Sequence, residues 1–229
     1  MALILQIDTA TPVCSAAVSL DGEVISKALV DEGYRHAENI ISLCRKVIAE
    51  TKYSIQDLEA VAVSAGPGSY TGLRIGVSAA KGLCYGLEIP LLTVSTLRMM
   101  ALQFYAMHTG FDGLAVPMID ARRMEVYTGI YNQNGECLLP DCALVVDSSA
   151  YGGIDPNAKL AFFGDGAGKC RDVLEPLFGN ARFDLDAMPD AAALSKPAHQ
   201  AFEKGEFANL AYFEPEYLKP YQGTPPSQK

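Results

Sequence analysis

Tryptophan is absent from the 229 residues, histidine occurs three times, and 18 basic residues face 27 acidic ones. The net charge of −9 argues against a chain that grips nucleic acid by itself, because phosphate contacts need clustered Lys and Arg. It argues equally against docking on an anionic membrane surface, but leaves open service as a partner subunit of a nucleic-acid enzyme. No apolar run reaches the ~18 residues that cross a bilayer. The opening Met1-Ala-Leu-Ile-Leu-Gln-Ile-Asp8 has no basic n-region and meets an acid early, so it reads as a strand and not a signal peptide. The six cysteines form no Cys-x-x-Cys pair, and most sit in apolar stretches. That predicts buried free thiols in a reducing compartment, and so a cytoplasmic chain. With 49% apolar and 20% charged residues, the composition is that of an ordinary globular protein.

What is present is a plan that runs twice. Residues 2–7 are apolar and end at Asp8; residues 13–20 form a second strand, Asp21-Gly22 a hairpin turn, and Glu23–Val30 the returning strand. A helix is predicted from Arg35 to Glu50, with Ala37, Ile40, Ile41, Cys44, Val47 and Ile48 at helical spacing. A strand at 60–65 runs into Gly66-Pro-Gly-Ser-Tyr-Thr-Gly72, followed by a helix from Leu73 to Leu87, a strand at Pro90–Val94 and a helix capped by Ser95. The order then restarts: Leu114–Ile119 ends at Asp120, Met124–Tyr131 and Glu136–Val146 flank the turn Asn134-Gly135, and Leu160–Phe163 leads into Gly164-Asp-Gly-Ala-Gly168 and a helix. Ala191–Lys204 is read as the last helix of the second half. The expected organisation is an α/β chain of two duplicated lobes, residues 1–108 and 109–204, each a mixed sheet flanked by helices. A tail at 205–229 is expected to pack back and then fray.

Such lobes enclose a cleft where a nucleotide and its metal can sit, since backbone N–H groups at a loop–helix junction accept phosphate. The candidate cleft residues are Asp8, Thr9, Thr11, Gly66, Gly68 and Ser69 from the first half, and Asp120, Arg122, Arg123, Gly164 and Gly166 from the second. The alternative is that the two Asp residues cap turns and the glycines only supply positive φ. Neither glycine loop is a P-loop: the first lacks a following Lys-Ser/Thr, and the second has Cys170 where a hydroxyl would hold Mg²⁺. Arg122 and Arg123 suit a phosphate or carboxylate, or local ion pairs. His36 invites a metal reading, but position 40 is Ile, so no two-ligand helix face is assembled. The second helix is crowded with Gly72, Gly76, Ser78, Ala79, Ala80 and Gly82. Glycine in a helix interior costs roughly 0.8–1 kcal/mol, so a close approach, within the lobe or across a subunit boundary, should offset it.

Ile7-Asp-Thr-Ala-Thr11, Ser64-Ala-Gly-Pro-Gly-Ser-Tyr-Thr-Gly-Leu-Arg-Ile-Gly76, Ile119-Asp-Ala-Arg-Arg123 with Glu125 and Tyr127, and Glu214-Pro-Glu-Tyr-Leu-Lys219 together closely resemble the bacterial TsaB (YeaZ) family. The resemblance runs from residue 1 to about 220. It implies the actin-like ATPase fold of sugar kinases and Hsp70, in two duplicated lobes. It also implies a non-catalytic role, without cofactor or metal, in threonylcarbamoylation of the adenosine beside the anticodon of ANN-reading tRNAs. The related catalytic subunit, TsaD, carries a His-x-x-x-His metal motif; the corresponding stretch here is His36-Ala-Glu-Asn-Ile40. The implied partners are a TsaD-like subunit and a TsaE-like ATPase, with tRNA met only through the complex, and a homodimer is an option for the isolated chain. The pairing surface is expected on the two N-terminal helices, at Ala37, Ile40, Ile41, Cys44, Val47, Ile48, Leu73, Gly76, Val77, Ala80 and Leu83. Gly76→Leu is expected to block pairing and spare the fold. The rival readings are an actin-like Mg-ATP-dependent small-molecule kinase and, from the wider glycoprotease grouping, a metallopeptidase.

Overall fold

Two five-stranded sheets repeat one strand order in the computed structural model, which describes residues 1–33, 35–185 and 187–219. In the first, β1 (Leu3–Asp8) is central, with β2 (Cys14–Leu20) and β3 (Glu23–Val30) antiparallel on one side and β4 (Ala60–Ser64) and β5 (Leu91–Val94) parallel on the other. In the second, β6 (Leu114–Asp120) takes the place of β1, flanked by β7 (Glu125–Tyr131) and β8 (Cys137–Val145), and by β9 (Leu160–Phe163) and β10 (Arg182–Asp184). The duplication expected from the spacing of the Asp-ended strands is therefore present in the strand order of the two sheets. Among the described strands, β10 alone has no counterpart in the sequence reading. It is a three-residue edge strand, Arg-Phe-Asp, too short to carry a period-2 pattern.

The helices are α1 (His36–Ala49), α2 (Tyr70–Leu87), α3 (Thr96–Met107), α4 (Ala167–Leu174) and α5 (Ser195–Lys204), the last preceded by a 3-10 turn at Ala191–Leu194. Among the described residues no helix is long and apolar enough to cross a membrane. Every residue of β1 is buried because both faces of the first sheet are covered. Leu3, Leu5 and Ile7 face α1 and α2. Ile4, with Ala60, Ala62 and Leu92, faces Ala198, Ala201 and Phe202 of α5. Residues 191–204 thus cover the first sheet, not the second to which the sequence reading assigned them. Conversely α3, which follows the first sheet, lays Leu97, Met100, Ala101 and Phe104 on Ala115, Ile119 and Phe163 of the second. After α5 the chain runs along the first lobe, where Ala208 bridges Leu91 and Lys81 Nζ donates to the carbonyls of Ala211 and Phe213. Residues 205–219 do pack back; the fraying expected farther on lies outside the described residues.

The apolar stripe of α1 is consumed by the chain itself. Ile40, Cys44, Val47 and Ile48 are buried against the sheet, together with Val77 and Ala80 of α2, and Leu73 is buried beside Gly66. At roughly 1.5–3 kcal/mol for each large apolar side chain, this burial is core packing. Those residues are therefore not an outward pairing surface, whereas Ala37 and Ile41 are exposed and Leu83 is half-buried. The small residues of α2 divide in the same way. A Cβ on Gly72 would lie 2.2 Å from the Thr9 carbonyl oxygen, and one on Gly76 would lie 2.2 Å from Thr9 Oγ1. These two glycines let α2 settle on the turn after β1, where Thr9 Oγ1 donates to Gly72 O at 2.8 Å. Gly76→Leu would break this seat, so it does not serve as an interface probe. Gly82 and Gly86, by contrast, face open space.

Gly72→Ala should lower stability by at least about 2 kcal/mol, since the obstruction is backbone and cannot rotate away. Gly82→Ala should raise it by about 0.5–1 kcal/mol, the intrinsic difference between the two residues in a helix. Urea titrations read as midpoint shifts at constant slope check both.

Candidate functional site

The two β1-type strands end at opposite walls of a cleft of about 510 Å³. The first-lobe wall comprises the turn Ala10–Pro12 and the glycine loop from Pro67 to Thr71; the second-lobe wall comprises Ile119–Arg122, Tyr127 and Asp165. Residues Glu216–Lys219 of the tail form the rest of the lining. Of the candidate residues, Thr11, Gly68, Ser69, Asp120 and Arg122 line the cleft, and Asp8, Thr9, Gly66, Arg123, Gly164 and Gly166 do not.

The first glycine loop is organised inward. Ser69 N–H donates to Ala10 O at 2.7 Å, and Gly68 packs so tightly on Ala10 that a Cβ would fall 2.5 Å from its carbonyl oxygen. Ser69 Oγ caps α2 by accepting the Gly72 N–H at 3.2 Å. Two amides that could meet a phosphate are thereby committed. The second loop is similar: Gly166 N–H donates to Met118 O at 3.0 Å, and Gly166 packs on the backbone of Ile119 and Asp120, as Gly164 does on Met118.

Around Asp120 the charge is already matched. Its carboxylate pairs with Lys169, whose Nζ also donates to Glu125 O at 2.7 Å. Asp120 Oδ1 accepts the Arg122 N–H at 2.8 Å, while its own N–H donates to Asp165 Oδ1 at 2.9 Å. Arg122 and Arg123 follow in the left-handed region, at φ 72° and 51°, and both are exposed. Arg122 lines the cleft, and Arg123 does not. Glu125 pairs with Lys219 of the tail.

Asp8 is different. It is fully buried; one carboxylate oxygen accepts the Ala10 N–H at 3.2 Å and the other has no hydrogen-bond partner. The Ser64 hydroxyl on β4 lies close enough to favour the anion without closing a hydrogen bond. Burial pushes the Asp8 acid up to about 6; Ser64 and the Ala10 amide hold it back, and the Asp190 carboxylate raises it again. Asp190 is itself held by Lys27 at 2.7 Å. The carboxylates that sequence spacing pairs across the cleft are therefore not equivalent. One is sealed in the first lobe, and the other is neutralised at the surface of the second.

His36, the first residue of α1, is buried against Gly72, and burial holds its imidazolium below the usual range. Ile40, one turn on, points into the core. Among the described residues no three of His, Cys, Asp and Glu come together as a metal-binding set. The tail residues Glu216–Lys219 were not among the sequence candidates for the cleft. Their signal, the Glu214–Lys219 motif, was legible, but nothing in it said where the tail would dock.

Because its acid is raised on folding, Asp8 stabilises the fold below pH 4, and that contribution is lost as the pH rises through about 6. Asp8→Asn keeps the acceptor for Ala10 and offers Ser64 a donor. It should raise stability at pH 7.5 by about 1–3 kcal/mol, the scale set by a two-unit shift. It should also flatten the stability profile between pH 4 and 7 in urea titrations repeated across that range.

The family model described as "TsaD: tRNA N6-adenosine threonylcarbamoyltransferase" matches residues 32–219. The tRNA threonylcarbamoyladenosine biosynthesis protein TsaB of Bacillus subtilis is 32% identical over 219 residues, 94% of this chain and 93% of that protein. The TsaB of Escherichia coli is 38% identical over 131 residues, 57% of this chain and 55% of that protein. Among solved structures, YeaZ from Pseudomonas aeruginosa superposes with a TM-score of 0.78 at 28% identity, covering 95% of this chain and all of that one. The activator of 2-hydroxyisocaproyl-CoA dehydratase from Clostridium difficile, solved with ADPNP, has a TM-score of 0.52 at 8% identity, covering 89% and 97%. That likeness is one of fold alone, and it identifies the duplicated lobes as the actin-like ATPase architecture. With its fold and its sequence in agreement over nearly the whole length, this chain belongs to the TsaB (YeaZ) family of tRNA threonylcarbamoyladenosine biosynthesis proteins.

Proposed function

We propose that this chain is a non-catalytic subunit of tRNA threonylcarbamoylation. It acts in the cytoplasm by binding and positioning a TsaD-type catalytic subunit, which modifies the adenosine beside the anticodon of ANN-reading tRNAs. The docking surface is the outer face of α1 and α2, and the observation that carries this reading is the division of small residues on α2. The inner glycines, Gly72 and Gly76, are accounted for by Thr9. Gly82 and Gly86 meet nothing, yet Gly82, inside the helix, costs about 0.8–1 kcal/mol relative to alanine. With Ser78, Ala37, Ile41 and the 80%-exposed Tyr85 they form a low surface of small and apolar groups. A second helix pair can approach such a surface closely. The same face would serve a homodimer of the isolated chain, and a TsaE-type ATPase and the tRNA would be met in the assembled complex.

The sealed Asp8 and the committed loop amides support a role without catalysis. A Mg-ATP-dependent kinase has the inter-lobe cleft in its favour, but the carboxylate such an enzyme would aim at the metal lies inside the first lobe. Tight Mg-ATP binding by calorimetry would favour that rival.

Ile41→Glu and Gly82→Arg should each weaken binding to the cognate TsaD-type subunit at least about tenfold, as charges placed in an apolar interface do. The melting temperature should stay within a few degrees of the unsubstituted chain, because neither side chain enters the core. Failure of the chain to bind that subunit, with the modified adenosine still present after deletion of its gene, would overturn the proposal.

A further inference from the structure

The tail does more than line the cleft: it is attached to both walls. On the first-lobe side, Glu216 N–H donates to Ala65 O at 2.7 Å, immediately after β4. The fit is close enough that a Cβ on Gly66 would lie 2.6 Å from Glu216 O. One residue on, the Tyr217 ring lies 4.8 Å from that of Tyr70, and its hydroxyl accepts from Arg74 Nε at 3.1 Å. The Arg74 guanidinium sits 4.2 Å from the centre of the Tyr70 ring. On the second-lobe side there is, among the described residues, one attachment, the ion pair of Lys219 with Glu125 of β7, whose side chains are 28% and 21% exposed.

We propose that residues 214–219 are a latch, fixed to the first lobe and releasable from the second, which holds the two lobes at one angle. The asymmetry carries the inference. A backbone hydrogen bond, a ring pair and a stacked guanidinium secure one end, and these do not open together. Among the described residues a single, partly exposed ion pair secures the other, and such a pair is the kind of contact that a competing charge can open. Among the described residues the lobes are otherwise joined by the segments that cross between them, where Met99 and Leu194 pack with Val94. Hinged two-lobe folds open about such connections when the contact across the mouth is lost.

Residual dipolar couplings of backbone amides in the full-length chain test this. In the unsubstituted protein both sheets should fit one alignment tensor. In Lys219→Gln and in Glu125→Lys, the tensors of the two sheets should separate, with magnitudes differing by about twofold. The exchanged pair, Glu125→Lys with Lys219→Glu, should bring them together again. One common tensor in Lys219→Gln overturns the latch, and so does a separation that the exchanged pair fails to repair. Amide exchange in β1 and β4 at unsubstituted rates shows that the fold is intact. Lys219→Gln removes only the tail's end of the contact, so it decides the matter even if Glu125→Lys does not fold.

Discussion

The first lobe is keyed together at the turn after β1, where Thr9 and Ala10 meet α2. Thr9 is fully buried, its hydroxyl bonded to Gly72 O, and Gly72 and Gly76 lie against its backbone and side chain. Ala10 O receives the Ser69 N–H, so the same two residues set both the start of α2 and the path of the glycine loop. From that contact follow the burial of Leu73, Val77 and Ala80, the packing of α1 beside α2, and the outward aim of Ser78, Gly82 and Tyr85. A larger residue at position 72 or 76 would lift the helix and displace all of these together.

Much of this architecture is written in local chemistry. Asp21-Gly22 and Asn134-Gly135 mark the two hairpins, and Asp8 and Asp120 end equivalent strands. Ser69 and Ser95 each cap a helix by accepting a backbone N–H three residues on. What local chemistry does not encode is which sheet a helix will cover. The apolar positions of α5 are satisfied by either sheet, and only the path of the connection sends Ala198 and Phe202 to the first. The stripe on α1 had the same ambiguity, since Ile40, Cys44 and Val47 read alike whether they bury against a sheet or a partner. The site was legible in part for a similar reason. Asp120, Arg122 and Ser69 lie on the cleft, but the raised acid of Asp8 reflects its burial and a charge as distant in sequence as Asp190.

The duplication is complete in strand order and unequal in chemistry. Both halves place a carboxylate at the end of the central strand and a glycine loop beside it. In the second half Lys169 reaches Asp120 from the first turn of α4. In the first half the corresponding helix brings no cation to Asp8, whose ionisation is opposed by burial instead. Two copies of one plan have thus settled the same electrostatic problem differently, by pairing and by exclusion of water. A duplicated cleft need not retain duplicated chemistry, and here the glycine loops are organised to hold their own lobes.

The exchange of helices between the sheets has a consequence for how the chain must be made. During synthesis the first sheet emerges before α5 exists, so the face formed by Ile4, Ala62 and Leu92 stays bare until some hundred further residues have been added. Meanwhile α3 is complete, but its apolar side awaits Ala115, Ile119 and Phe163. Neither half is finished by its own residues, and each supplies the lid of the other. A nascent chain therefore carries the apolar side of α3 uncovered until β9 has been added, and the face of the first sheet uncovered for longer, until α5 clears the ribosome.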